Sequence, residues 1–297
     1  MLLISLSERC SVYQLLSPKI IVENIIVLAS PYITTQSKLD SVVLKQAYCD
    51  YLQNIQPYCP LIRNDQLFYA DAETEFLFQN YFSDPEIDMT EVYQHIDINK
   101  VMYPDPNTRC DVLNRAFSRM EQQDSTFGSL FRLVMNTIFC TVSKHIGGTS
   151  VNPKYLGVMC AHHDMHSEET VVPELLIHEF THHTVLLDEH RYGHYKSYQA
   201  LSDPDTHIDS YDRGMHFKFP LNRIMHSMLV AVEVIKLRDN YIGHLPCINQ
   251  HANTEVLIAR DKEYIKTIEK NRRIQMLFTE RGYYLYETVK AFYNNDA

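Results

Sequence analysis

Residues 171–189 read VVPELLIHEFTHHTVLLDE, and this stretch decides the fold around it. Its apolar residues lie on almost every face of a helix, so we expect a helix that is buried on all sides. Two histidines and a glutamate in such a helix need polar partners, because each unsatisfied buried polar group costs about 1–3 kcal/mol. A bound metal ion is one such partner.

The centre of the stretch is His178-Glu179-Phe180-Thr181-His182, an HExxH motif. Residues four apart lie one above the other on a helix, so His178 and His182 can bind one metal ion. Glu179 lies about 100° round the helix, where its carboxylate acts on a metal-bound water rather than as a ligand. We therefore predict that Glu179 is the catalytic group. The alternative is a chance match, because the motif fixes only three positions.

A catalytic metal site of this kind needs a third protein ligand. Asp188 lies ten residues after His178, where some zinc proteases place that ligand, but Val185 replaces the glycine at which those chains turn. We expect the helix to continue past Val185 and to carry Asp188 away from the metal. His226 and Glu233 lie seven residues apart, on one face of a later helix, and either can reach the metal. The residues alone leave both His226 and Glu233 open as the third ligand.

The chain as a whole is predicted to be mainly α, a single globular helical domain over residues 1–297 with its metal-site core at about 147–240. The predicted helices are Lys38–Asn54, Asp65–Tyr81, Thr108–Gln122, Ser125–His145, Val171–Glu189, Leu221–Asn240, Thr254–Met276 and Tyr284–Tyr293. A small β element at Tyr155–Ala161 precedes the HExxH helix. Of 15 histidines, twelve fall between His145 and His226, which places the expected chemistry in this part of the chain.

Composition argues against several classes of protein. Lys and Arg number 27 against 37 Asp and Glu, and this net charge of −10 disfavours nucleic acid as a partner. The apolar stretch from Ile20 to Ala29 is interrupted by Glu23 and Asn24, which argues against a signal peptide or a membrane span. The 7 cysteines are scattered, with no CxxC pair, as is typical of reduced thiols. We therefore predict a cytoplasmic protein with no membrane partner.

Four segments between Gly147 and Asn240 form a wider pattern. They are Gly147-Gly148-Thr149-Ser150, Leu156-Gly157-Val158-Met159, Glu174 to His182, and Pro220-Leu221 with His226 five residues on. This pattern resembles the HExxH-motif peptide-modification family, which accompanies ribosomal peptide biosynthesis and includes iron(II) and 2-oxoglutarate dependent peptide β-hydroxylases. The resemblance implies that His178, His182 and His226 hold Fe(II), with 2-oxoglutarate as co-substrate and a peptide as substrate.

Two positions depart from the family pattern. The family often has an arginine before the Pro-Leu pair, where this chain has Phe219, and a glycine before the downstream histidine, where it has Arg223. A guanidinium pairs with a carboxylate through two parallel hydrogen bonds, so the 2-oxoglutarate carboxylate needs another arginine. Arg213 and Arg223 are the candidates.

Three functions are consistent with the sequence. The first is an Fe(II) and 2-oxoglutarate dependent hydroxylase of a peptide side chain. The second is a zinc metallopeptidase in which Glu179 is the general base, with Glu233 as a possible third ligand. The third is a non-catalytic protein that binds a peptide or holds a structural metal.

Overall fold

A computed structural model of the chain describes residues 12–33, 39–57, 67–70, 106–140, 155–161, 171–212, 215–244 and 251–295. The helices, numbered along the chain, are α1 Pro18–Ala29, α2 Ser41–Ile55, α3 Pro106–Gln123, α4 Ser125–Val134, α5 Val171–Tyr192, α6 Tyr198–Leu201, α7 Leu221–Leu237, α8 Thr254–Lys270, α9 Arg272–Leu277 and α10 Glu280–Asn295. The strands are β1 Phe68–Ala70, β2 Thr137–Cys140, β3 Val158–Ala161, β4 Ile208–Asp212 and β5 Met215–Phe219. The predicted mainly-α class is confirmed.

Short turns join several of these elements. Ser30–Tyr32 and Pro204–Thr206 are 3₁₀ turns, and a π-helical turn at Arg238–Ile242 continues α7. Within the described ranges, no helix has the combination of length and apolar composition needed to cross a bilayer. The division into domains stays a prediction.

In two of the predicted helices, part of the range forms a β-strand. Within the predicted helix Asp65–Tyr81, the described residues Phe68–Ala70 form β1, and residues 71–81 lie outside the described part. The predicted helix Ser125–His145 ends at Val134, where the Lys45 ammonium donates to the carbonyls of Arg132, Leu133 and Met135. Residues 137–140 then form β2, and residues 141–145 are not described. Both strands are short apolar runs, which periodicity alone does not separate from buried helix.

Two further differences concern helix ends. The predicted helix Thr254–Met276 is divided into α8 and α9 at Asn271, whose side chain accepts hydrogen bonds from the N–H groups of Arg273 and Ile274 and so caps α9. Helix α1 was not predicted, although Ser17 caps it and Pro18 opens it. The helices predicted at 38–54, 108–122, 171–189, 221–240 and 284–293 match described helices to within a few residues at each end.

The strand predicted before the HExxH helix is present as β3. It joins a parallel sheet of order β1-β2-β3, in which Thr137 pairs with Val158 and Cys140 with Ala161. Gly157 precedes β3 at φ +75°, and a Cβ there would lie 2.7 Å from the Asn136 amide nitrogen, so the position requires glycine. Its N–H donates to Nδ1 of His183, 3.3 Å away, which fixes β3 against α5.

Helix α5 lies at the centre of the fold. Leu175, Leu176, Ile177 and Phe180 are fully buried, and the helix packs against α1, α3 and α4 and, elsewhere along its length, against α7. Phe180 contacts the rings of Tyr13, Phe127 and Phe131, with ring centroids 4.9–5.5 Å apart. The expectation of a buried helix is confirmed.

A buried ion pair near the C-terminal end of α5 connects three helices. The Asp188 carboxylate accepts two hydrogen bonds from Arg281 of α10, at 2.7 and 2.8 Å, and one from the Asn24 amide of α1, at 3.0 Å. It also lies 2.9 Å from Nε2 of His194. Burial alone would raise the pKa of Asp188, but these hydrogen bonds outweigh it and lower the pKa from 3.8 to about 2.

We predict that Asp188→Asn lowers the free energy of unfolding by about 2–3 kcal/mol at pH 7, because it leaves the part-buried Arg281 guanidinium without its carboxylate. Urea denaturation measures the change. Since the folded pKa lies below the unfolded one, the Asp188 contribution is complete above about pH 4 and is lost as the pH falls towards 2. As the pH falls through this range, the free energy of unfolding of the wild type should therefore decrease by about 2 kcal/mol more than that of the variant.

The control is Asp209→Asn on β4, whose exposed carboxylate lies 2.9 Å from the His216 ring and 4.0 Å from Lys218. An exposed pair contributes less than about 1 kcal/mol, so this variant should resemble wild type. Equal destabilisation by the two substitutions would contradict the role given to Asp188.

Candidate metal centre

The two motif histidines face one another on α5. Nε2 of His178 and Nε2 of His182 lie 3.1 Å apart. Two nitrogen ligands, each about 2.1 Å from one ion and at 90–110° to each other, lie about 3.0–3.4 Å apart. The pair therefore has the separation that two ligands of a single metal ion require.

Both imidazoles are in the protonation state that a metal ligand needs. Burial lowers the pKa of His178 well below 6.5, and the neighbouring His251 ring lowers it further. Burial acts in the same direction on His182, together with its surrounding histidines. Neutral imidazole is the form that binds a metal, because its ring nitrogen then offers a lone pair.

Glu179 lies at the same place. Its side chain is 1% exposed, and its Oε1 is 3.5 Å from Nε2 of His178. A carboxylate at this distance can hold or accept a proton from a water at the Nε2 pair, as a general base does. The structure thus brings together His178, His182 and Glu179.

His226 of α7 also lies in the cluster. Its ring stacks on that of His182, with centroids 5.2 Å apart, and the two Nδ1 atoms are 3.0 Å apart. This contact is on the opposite side of the His182 ring from the Nε2 pair. Nε2 of His226 lies 3.7 Å from a carboxylate oxygen of Glu189.

Glu233, the alternative third ligand, is engaged elsewhere. It is fully buried, accepts a hydrogen bond from the Gln14 N–H at 2.8 Å, and lies 3.4 Å from the Lys236 ammonium. Burial raises the pKa of this carboxyl group. The structure does not bring it to the motif histidines.

The structure describes only one of the two arginines that are candidates for binding 2-oxoglutarate. Arg213 lies outside the described residues. Arg223 is exposed in the first turn of α7, with its guanidinium 4.4 Å from the centroid of the Phe219 ring. It precedes His226 by three residues, so both side chains leave α7 on the same face.

The expectation for Asp188 is confirmed. Helix α5 continues through Val185 to Tyr192, and Asp188 is bound to Arg281. It therefore belongs to the ion pair that joins the helices.

Sequence reasoning missed His251. Its Nε2 is 2.6 Å from Nδ1 of His178, and its Nδ1 is 2.7 Å from Oε1 of Glu174. His251 lies outside the stretch that holds most of the histidines and is not part of a motif. The available signal was Glu174, which lies one turn before His178 on the same face of α5.

Two carboxylates lie at the ends of this histidine cluster. Burial would raise the pKa of Glu174, but hydrogen bonds from His251 and Arg238 lower it. Burial likewise opposes ionisation of Glu189, and hydrogen bonds from His226 and Tyr198 lower its pKa. Both groups are ionised at neutral pH. The charge of Glu174 is balanced by Arg238, whereas that of Glu189 faces the rings of His226 and His194.

Whether the cluster can bind a metal depends on the ligand atoms that it supplies. In the part of the chain that the structure describes, no group of three or more His, Cys, Asp or Glu side chains is arranged to hold an ion. The arrangement supplies two ligand nitrogens, His178 Nε2 and His182 Nε2, with a carboxylate beside them. Imidazole nitrogens suit zinc or iron, and the described residues supply two of the three protein ligands that a catalytic site of this kind needs.

Comparison with known proteins adds no assignment. No protein-family model matches the chain, and no curated protein matches it.

We predict that His178→Ala and His182→Ala each abolish stoichiometric binding of Fe(II) or Zn(II), because each removes one of the two facing nitrogens. Metal content after dialysis, determined by elemental analysis, measures the loss. His190→Ala is the control, since His190 lies on the same helix but bonds to the Tyr51 hydroxyl at 2.9 Å. Stoichiometric metal in both motif variants would remove the assignment.

Proposed function

We propose that this protein is a metalloenzyme that hydroxylates a peptide side chain with Fe(II) and 2-oxoglutarate. The observation that carries the proposal is the identity of the side chain beside the motif. An imidazole, His226, contacts His182, whereas the carboxylate of Glu233 is held by Gln14 and Lys236. A downstream histidine is what the resemblance to the peptide β-hydroxylases requires.

In this proposal His178 and His182 hold the iron through Nε2, and His226 is the third ligand. Because His226 contacts the Nδ1 side of His182, its binding to the same ion requires a change of side-chain rotamer. When bound, Fe(II) would supply the chemistry for inserting one atom of O₂ into a C–H bond, while the other atom oxidises 2-oxoglutarate to succinate and CO₂. Glu179 orients a ligand or water, since its carboxylate lies beside His178.

Arg223 is the described candidate for binding the 2-oxoglutarate carboxylate, with Arg213 as the alternative. Its guanidinium is exposed and lies on the same face of α7 as His226. We place the protein in the cytoplasm, since the buried Cys49 is present as a thiol that donates to Asn136.

A visible absorption spectrum under anaerobic conditions tests the proposal. We expect a metal-to-ligand charge-transfer band to grow when 2-oxoglutarate is added to the Fe(II)-loaded protein, and His226→Ala to remove it. Arg223→Met should weaken 2-oxoglutarate binding about 10- to 100-fold, since a hydrogen bond to a charged group contributes about 1.5–3 kcal/mol. The control is Arg273→Met, because Arg273 is exposed and pairs with Asp203 and Asp205.

Two other results of the same experiments would contradict the hydroxylase proposal. If no band forms while Zn(II) binds tightly, the hydroxylase proposal is wrong. If metal binds but the protein neither binds 2-oxoglutarate nor cleaves peptides, a non-catalytic metal or peptide-binding role remains.

A zinc metallopeptidase is the second candidate, and the position of Glu179 favours it. Its carboxylate oxygen is 3.5 Å from Nε2 of His178, where a general base for a metal-bound water belongs. For this function we predict that Glu179→Gln keeps Zn(II) but lowers the rate of peptide cleavage by about 10²- to 10⁴-fold. Turnover of a mixed peptide library with equal zinc content measures the effect, and near-normal turnover in the variant would exclude the general-base role.

A further inference from the structure

A chain of four buried or part-buried side chains leads away from the metal centre. Nδ1 of His178 lies 2.6 Å from Nε2 of His251, and Nδ1 of His251 lies 2.7 Å from Oε1 of Glu174. Glu174 in turn accepts two hydrogen bonds from Arg238, at 2.9 and 3.0 Å. The chain thus runs from a motif histidine to a buried arginine through one further imidazole.

The chemistry of these groups fixes the direction of the hydrogen bond to Glu174 and leaves two arrangements for the bond between the histidines. An ionised carboxylate only accepts, so Nδ1 of His251 carries the proton that it donates to Glu174. With His251 neutral, its Nε2 is a lone pair and accepts the proton of His178 Nδ1–H, whereas a doubly protonated His251 would donate to His178 Nδ1 instead. Only the first arrangement leaves Nε2 of His178, the nitrogen that faces His182 at 3.1 Å, without a proton and able to bind a metal.

We propose that His251, anchored by Glu174 and Arg238, is a positioning residue that holds His178 in the Nδ1–H tautomer with Nε2 directed to the metal. The proposal rests on the metal centre of the proposed function. A hydrogen bond to the distal nitrogen of a ligand histidine fixes both its tautomer and its ring orientation. Here His178 donates to a second histidine, His251, and the carboxylate lies one step further away.

Arg238 binds the segment next to His251 as well as the carboxylate of Glu174. Arg238 is 2% exposed, and its Nη1 donates to the carbonyl of Ala252, 2.9 Å away, and to the Thr254 hydroxyl, 3.2 Å away. It therefore fixes the backbone next to His251 and the carboxylate that His251 contacts. Arg238 opens the π-helical turn after α7, a feature that is frequent at functional sites.

Metal affinity tests the proposal, with Zn(II) as the probe in competition with a chromophoric chelator. His251→Phe keeps a ring but removes both nitrogens, and we expect it to weaken Zn(II) binding about 10- to 100-fold. His251→Gln should recover part of the loss, because its amide can donate to Glu174 and accept from His178. His216→Phe on the exposed β5 is the control for replacing a histidine, and it should bind Zn(II) as wild type does.

The tautomer of His178 in the metal-free protein is the readout that a merely structural role would not change. Nitrogen NMR of histidine-labelled protein, with His178→Gln to assign the signal, should show the proton on Nδ1 in wild type. His251→Phe should shift the proton to Nε2 or to a mixture. A proton on Nε2 in wild type would overturn the proposal, and this measurement does not depend on whether the Phe variant folds.

The outcomes separate this proposal from the function on which it rests. If wild type binds no Zn(II) or Fe(II), the proposed function is wrong, and the wild-type tautomer still decides the role of His251. If wild type binds Zn(II) and His251→Phe binds within about twofold of it, with an unchanged His178 tautomer, the positioning role is wrong while the metal centre stands.

Discussion

Burial of α5 is the constraint on which the other parts of the structure depend. A helix with Leu175, Leu176, Ile177 and Phe180 fully buried has to be covered along its length, and α1, α3, α4 and α7 do so. The buried polar side chains on this helix then need hydrogen-bond partners, and Glu174 and Asp188 have theirs on other elements. The positions of the surrounding elements are therefore fixed by polar contacts to α5 as well as by apolar packing.

The two buried ion pairs of α5 lie at opposite ends of the helix. Glu174 pairs with Arg238 near the N-terminal end, and Asp188 pairs with Arg281 near the C-terminal end. Replacing a buried ion pair with apolar residues is often neutral or stabilising, so such pairs are weak evidence for stability alone. The Asp188 pair connects helices, whereas the Glu174 pair continues through His251 to His178, which suggests that the two pairs have different purposes.

Local sequence predicted the parts of the site that lie on one helix. The spacing of His178 and His182, and the absence of a glycine at Val185, indicate a continuous helix with two facing imidazoles, because these features depend only on helical geometry. The strand Thr137–Cys140 was missed, since a four-residue apolar run next to a helix has no distinguishing period.

His251 was missed for a different reason. It lies 73 residues after His178, and no local pattern relates the two positions. Contacts of this kind are set by where the segment before α8 lies relative to α5, which only the tertiary structure contains. The same applies to Glu233, whose spacing from His226 predicts a shared face but whose partner, Gln14, lies 219 residues away.

The arrangement of ring nitrogens explains why the site suits a cation. Nδ1 of His178 is bonded to His251 and Nδ1 of His182 to His226, so both rings turn Nε2 towards the same point. At 3.1 Å one of these two nitrogens donates its proton to the other, and a metal ion would take the place of that proton. A cation between the rings then replaces one hydrogen bond with two ligand bonds, and the ionised Glu189 beside His226 adds attraction. Because the charge of Glu174 is balanced by Arg238, the two ends of the cluster contribute differently: Glu189 attracts the ion, whereas Glu174 acts through the ring that it holds.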